Sequence, residues 1–309
     1  MGTIADRVAT PGAGRIRSRL AAREARLGYL LLLPTVAVLV VFLAWPFLFG
    51  LWLSLTSAEL QDPGRFIGLA NYKFEFTVDR PFLQAFTNTF LYTGVTTVFK
   101  LGLGMVMALL LNQVFPLQRF VRAALLLPWI IPTVLSTLAW KWMFDPTFSV
   151  VNWLGVHLHL ITYPGPNWFG NTGSALVALM IVNVWRGMPF YGISFLAGLQ
   201  TIPTDLYEAA RVDGASRWQQ FIYITVPKLR PVLLVVLLLS TILTFADFQV
   251  PFILTNGAPF NSTHVLATWA YQWGVPGGAI GLGAAVSVVL FPLLAVLVAG
   301  TLLLLRRPE

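Results

Sequence analysis

Six predominantly apolar stretches, residues 29–53, 85–111, 122–143, 174–199, 232–254 and 280–305, dominate this chain of 309 residues. Each is long enough, at about 1.5 Å per helical residue, to cross the roughly 30 Å hydrocarbon core of a bilayer. Backbone amides in hydrocarbon need partners, and a helix supplies them within its own segment. The expected fold class is therefore an all-α polytopic membrane protein with six transmembrane helices. Composition agrees, since 57% of the residues are hydrophobic and 10% charged, against about 25% charged in soluble domains. The first run is too long for a signal-peptide core of about 7–15 residues and is read as a retained span.

A net charge of +8 would suit nucleic acid if the bases clustered on one soluble face, but they fall between the apolar runs, so no nucleic-acid partner is expected. Arg7, Arg15, Arg17, Arg19, Arg23 and Arg26 precede the first run, Arg119 and Arg122 follow the second, Arg211, Arg217, Lys228 and Arg230 follow the fourth, and Arg306 and Arg307 follow the sixth. With six spans all of these share one side, which the positive-inside rule makes cytoplasmic, together with both termini. Residues 1–28 read as a cytoplasmic tail, expected to be disordered or to end in a short helix, and residues 29–309 as one membrane domain. Segments 59–80, 145–173 and 256–278 then face outward. Trp45, Trp140, Trp142, Trp153, Trp168 and Trp273 fall near span ends, where an amphipathic ring suits the lipid interface.

The chain has no cysteine, which excludes disulfides, thiol nucleophiles and cysteine-held metals. His157 and His159 stand without neighbouring carboxylates, so no metal site is expected. No Ser/His/Asp set falls within one span, and no catalytic residue is assigned. Prolines at 34, 46, 128, 132, 189, 251 and 292 interrupt the spans; each removes a backbone donor and can kink its helix.

The connection 200–231 alternates charge and apolarity like a folded hairpin. Pro203 suits a first helical turn, Gly214 a C′ position, and Ser216 with Gln219 a capping box opening a second helix, expected to stop before Pro227. Glu208, Ala209 and Ala210, then Gly214 after three residues, Ile224 after nine more, and Val226 with Pro227 resemble the EAA loop of binding-protein-dependent ABC importer permeases; Val226 stands where leucine is usual. The resemblance implies a cytoplasmic helical coupling loop, here Glu208, Ala209, Ala210, Asp213, Gly214, Ile224 and Pro227, that docks on a separate ATPase subunit. Lys73, Lys100, Lys141 and Lys228 are never preceded by glycine, so the chain has no Walker A motif. ATP and Mg²⁺ belong to the partner, and this chain is expected to be a transporter subunit that binds no cofactor and is not itself an enzyme.

The resemblance runs from the second span onward and is nearest to maltose, multiple-sugar and glycerol-3-phosphate permeases. It is carried by residues 183–191, 245–259 and 281–287. It implies a sugar-contacting set on the fourth span, Asn183, Arg186, Gly187, Phe190 and Tyr191, and on the fifth, Ser240, Leu243, Thr244 and Asp247. Asn183 and Gly187 keep the residue type of the maltose permeases, whereas Leu243 replaces an aromatic, Thr244 and Asp247 replace amides, and Arg186 replaces an aliphatic. Polar side chains inside spans are functional candidates in their own right, because leaving one unpaired in hydrocarbon costs a few kcal/mol. The competing reading pairs Arg186 with Asp247 as an ion pair and makes Asn183 a helix–helix contact; Lys100 is read as packing its stem and reaching a polar cavity or interface, outside the site.

The family implies a second permease subunit, expected to differ from this one, two ATPase subunits, an extracytoplasmic sugar-binding protein, and a bacterial or archaeal cytoplasmic (inner) membrane as location. The expected function is sugar or oligosaccharide import by alternating access. Alternatives are a glycerol-3-phosphate or phosphodiester permease, with Arg186 on the phosphate, and a membrane scaffold without an ATPase.

Overall fold

The computed structural model describes residues 13–305, with side chains over residues 25–303. Residues 1–12 of the expected tail, and Arg306 and Arg307, lie outside the described residues. The chain divides into two compact units at residues 52 and 53, and each is taken by itself.

In the first unit, α1 (Ala13–Leu39) runs through a π turn, Val40–Ala44, into α2 (Trp45–Ser54). The helix begins within the stretch expected to be largely disordered, because alanine, leucine and arginine there are good helix formers. The π turn has a local cause. Trp45 donates its amide to Val40 O, and this widened turn stands immediately before Pro46, whose ring would otherwise clash with the carbonyl four residues back.

In the second unit, α3 (Ala70–Thr77) leads into α4 (Arg80–Leu111), which begins with Asp79 as N-cap and Pro81 in its first turn. A broken pair follows, α5 (Gln118–Ile130) and α6 (Thr133–Met143). They meet at 93° and together account for the sixth candidate span among the described residues; five other helices are long and apolar enough to cross singly. The expected continuous span 122–143 is therefore corrected to a bent pair. Ile131, at φ −62° and ψ 130°, takes the extended conformation that a following proline imposes, and Pro132 is extended too.

Next come α7 (Val150–His157), α8 (Thr172–Leu199), α9 (Thr204–Val212) and α10 (Arg217–Gln220). A second π turn, Phe221–Thr225, joins α10 to α11 (Val226–Phe245) without interruption. The second loop helix thus does not stop before Pro227 as expected. Val226 donates to Phe221 O, the same widened turn ahead of a proline as at Trp45 and Pro46, and the helix passes on into the fifth span. That span breaks instead at residues 246–248, and α12 (Gln249–Leu254) completes it. The chain ends with α13 (Leu266–Gly274) and α14 (Ile280–Leu305).

The core of this unit lies where α4, α8 and α11 meet. Met107, Leu111, Tyr191, Phe195 and Leu229 are buried there. Small residues permit the approach: Gly104 lies directly against Tyr191, as Gly192 does against Met107, the use of glycine expected between membrane helices. At the end remote from the 204–223 hairpin, Asp79 accepts from the indoles of Trp269 at 2.9 Å and Trp273 at 3.0 Å, which ties α13 to the start of α4. Trp168 likewise donates to Asn152 at 2.7 Å. Trp168 and Trp273 thus spend their N–H groups on the protein.

Candidate functional site

Lys100 on α4 is 2% exposed. Its ammonium donates to Asn183 Oδ1 on α8 at 2.9 Å and to Thr244 Oγ1 on α11 at 2.7 Å. The Asn183 amide then donates through Nδ2 to Asp247 Oδ2 at 3.0 Å, and Tyr92 OH donates to the same oxygen at 2.8 Å. This orientation of the Asn183 amide is the one that satisfies both neighbours, since an ammonium only donates and a carboxylate only accepts. Thr244 Oγ1 in turn donates a hydrogen bond to Ser240 O at 2.7 Å. Asp247 sits in the gap between α11 and α12, where its second oxygen accepts weakly from Val250 N at 3.4 Å. The break is therefore closed by the same carboxylate that anchors the network.

Seven of the nine expected site residues, Asn183, Arg186, Gly187, Phe190, Ser240, Leu243 and Thr244, line one small cavity together with Lys100 and Trp129. The rings of Trp129 and Phe190 stack at 5.1 Å and 18° and give it an aromatic wall. Asp247 stands behind Asn183 and orients it. Tyr191 is placed elsewhere, fully buried against Gly104 and Phe195 in the core. The cavity volume is about 40 Å³, room for a water or two and far less than a sugar ring occupies. The cavity is open at Leu243, which is 60% exposed.

Arg186 and Asp247 do not form the ion pair weighed from the sequence. Among the described residues the ion pair within 4.0 Å is Glu208 with Arg211, at 3.9 Å on the exposed loop, where such contacts contribute little. Sequence reasoning missed Lys100, Tyr92 and Trp129 as members of this cluster. A lysine in the middle of an apolar span was the available signal. Gly187 carries a second one: a Cβ there would lie 2.5 Å from Lys100 Cδ, so the glycine makes room for the lysine stem.

The loop residues form a second cluster. After α9 the chain turns through Gly214 at φ +82°, with Ala215 N bonded to Ala210 O at 2.8 Å and Gly214 N to Arg211 O at 3.1 Å. This is the double closure of a Schellman motif, in which C′ is left-handed. Ser216 and Gln219 form the expected capping box. Tyr207 OH and Thr225 Oγ1 lie 2.9 Å apart and hold α9 against the π turn. Glu208, Ala209, Asp213 and Gly214 are exposed, Ala210 and Ile224 are half-buried, and Pro227 is exposed farther along. Val212 at 88% and Trp218 at 68% exposure leave the tip of the hairpin apolar.

Residues 100–307 match the family described as binding-protein-dependent transport system inner membrane component. The chain is 37% identical over 279 residues, 90% of its length and 93% of the relative's, to the trehalose/maltose transport system permease protein MalF of Thermococcus litoralis. It is 36% identical over 285 residues, 92% of its length and 91% of the relative's, to the sulfoquinovosyl glycerol transport system permease protein SmoG of Agrobacterium fabrum. The fold is similar, with a TM-score of 0.79 at 24% identity over 94% of this chain and 99% of the other, to a chain of a bacterial ABC transporter involved in the import of alginate.

Proposed function

Because the chain belongs to the family of binding-protein-dependent transport system inner membrane components, we propose that it is the permease subunit of an ATP-driven importer for a sugar or oligosaccharide, working by alternating access. The observation that carries this reading is the wall built by Lys100, Asn183 and Thr244 beside the stacked rings of Trp129 and Phe190. Sugar hydroxyls need donors and acceptors, while the C–H face of a sugar ring packs on an aromatic surface. Both features occur here at the discontinuous fifth span, the kind of helix break at which transporters place their substrates. The remaining walls come from a second permease subunit, which is why one chain encloses so little volume.

The hairpin at residues 204–223 is the surface for an ATPase subunit. It needs a partner because its tip exposes Val212 and Trp218. From Arg217 to Phe245 the helix is unbroken through its π turn, a length of about 40 Å at 1.5 Å per residue. A push on the hairpin therefore reaches Ser240 and Thr244 through one rigid element. An extracytoplasmic binding protein delivers the sugar to the opposite face. Both termini lie in the cytoplasm, which tag accessibility in intact cells tests; labelling of either terminus from outside overturns that orientation.

A second reading is favoured by Arg186, which lines the cavity and has no acidic partner within ion-pair distance among the described residues. An anionic sugar substituent, or the phosphate of a glycerophosphate, would complement it. The importer's chains reconstituted in vesicles with ATP separate these readings. Uptake of neutral disaccharides, trehalose and maltose first, that is unaffected by excess glycerol-3-phosphate or uronate supports the neutral-sugar reading. Uptake of the anions alone supports the second, and ATP-independent or absent uptake of both classes overturns the importer assignment.

A further inference from the structure

The hairpin between the bent pair and α8 has a composition that burial does not explain. Between Asp145 and Arg186, over residues 146–185, the chain contains no Asp, Glu, Lys or Arg. Segment 256–278 is also free of these residues, but there Thr263, His264, Leu266 and Trp269 are buried in the protein. In the hairpin the reverse holds: Phe148 is 81% exposed, Trp153 58%, Leu158 64%, Leu160 75% and Tyr163 87%. A water-facing loop with this much apolar surface and no charge is unfavourable, and patches of this kind mark contact with a partner or a membrane.

These side chains are held outward by a rigid frame. Ser149 caps α7, accepting from Asn152 N at 3.1 Å. Asn152 in turn donates to Pro166 O at 3.0 Å and accepts from Trp168 Nε1 at 2.7 Å, so one buried amide clamps both limbs of the hairpin. Leu160 N closes the turn on Gly155 O at 2.8 Å. The hairpin starts just after the apolar helix α6 and ends where the span α8 starts; with the bent pair counted as one span, both of its ends fall at one boundary of the bilayer. Phe148, Trp153 and Tyr163 border a common cleft, and Trp and Tyr are the residues enriched at the headgroup level of membranes.

We propose that residues 146–171 form an interfacial anchor, with the exposed rings and aliphatic side chains seated among the phospholipids of the leaflet opposite the 204–223 hairpin. Phospholipid is the occupant that matches the absence of charge, since docking surfaces for soluble proteins carry a polar rim. The anchor fixes the outer end of the bent pair relative to α8, whose Asn183 and Gly187 face the cavity.

The native chain lacks cysteine, which makes the test direct. Phe148→Cys, Leu160→Cys and Tyr163→Cys are introduced singly, spin-labelled in the complete importer in phospholipid nanodiscs, and compared with Asp62→Cys in the charged segment 59–80. Collision rates with oxygen, which partitions into lipid, and with a water-soluble nickel chelate are measured with and without the binding protein. The anchor predicts that oxygen exceeds the chelate at the three hairpin positions, with the reverse at Asp62→Cys, and that binding protein leaves the hairpin values unchanged. Chelate exceeding oxygen at the hairpin positions overturns the proposal, as does shielding from both reagents that appears only when binding protein is added, the signature of a protein-docking surface. All three substitutions are of exposed side chains, so complex yield is expected to stay at the wild-type level, and any two suffice for the comparison.

Discussion

Asn183 accepts a hydrogen bond from the Lys100 ammonium at 2.9 Å and donates one to the Asp247 carboxylate at 3.0 Å. A single amide on α8 thereby links a cation on α4 to an anion at the break between α11 and α12. Removing any member leaves a buried polar or charged group without its partner, so the three should behave as one unit.

Lys100→Met or Asp247→Asn alone is expected to destabilise the complex by about 1–3 kcal/mol, because each leaves a buried hydrogen-bonding group of the network short of a partner. The double variant should lose less than the sum, since residues of one network do not contribute additively. Thermal unfolding of the detergent-purified complex checks this in a double-mutant cycle. Strict additivity would show that Asn183 does not couple the two charges.

Gly214 sits at φ +82° with open space around the position of a Cβ. Gly214→Asp should therefore cost only about 1 kcal/mol of local strain, with insertion intact, while changing the shape and charge of the hairpin tip. Together with Glu208→Lys it is expected to abolish sugar-stimulated ATP hydrolysis. Pull-down of the ATPase and its turnover measure this; wild-type stimulation in both variants would remove the hairpin from the coupling path.

Glu75, on α3, is 1% exposed and neither carboxyl oxygen has a hydrogen-bond partner. Burial pushes its pKa up to about 9 from 4.5, and the Asp79 charge nearby adds to the rise. The folded protein therefore keeps this proton over a range where the unfolded chain has lost it. Its contribution to stability is complete below the unfolded value and is lost progressively as pH rises towards about 9. Glu75→Gln should flatten the decline. Unfolding midpoints from pH 6 to 10 that stay parallel for the two proteins would contradict a protonated Glu75.

How much of this was legible beforehand follows from range. Apolar length and the Gly214 and Ser216 signals are local, and the spans, Schellman turn and capping box came out accordingly. The π turns before Pro46 and Pro227 were missed because proline reads as a kink at the first and as a stop at the second, whereas a widened turn lets the helix continue. The 93° break at Ile131 and Pro132 was visible only as a proline, without an angle. Of the residues that line the cavity, Asn183, Phe190 and Thr244 were named through the family resemblance. Lys100 and Tyr92 are 83 and 155 residues from Asn183 and Asp247, respectively, and only the packing of α4 on α8 and on the end of α11 brings those pairs together. Tyr191 was misplaced because neighbouring positions on one helix, 190 and 191, point to different faces.

The central claim, that the wall at Lys100, Asn183 and Phe190 touches sugar, is tested most directly by protection at Leu243, the open rim of that wall. In the otherwise cysteine-free chain, Leu243→Cys is alkylated in the reconstituted importer with sugar-free or sugar-loaded binding protein, under conditions of ATP turnover. Occupancy of the site predicts that the transported sugar slows alkylation several-fold at Leu243→Cys and leaves Phe148→Cys unchanged. Equal rates at Leu243→Cys with and without sugar, in a complex shown to be transporting, would contradict it.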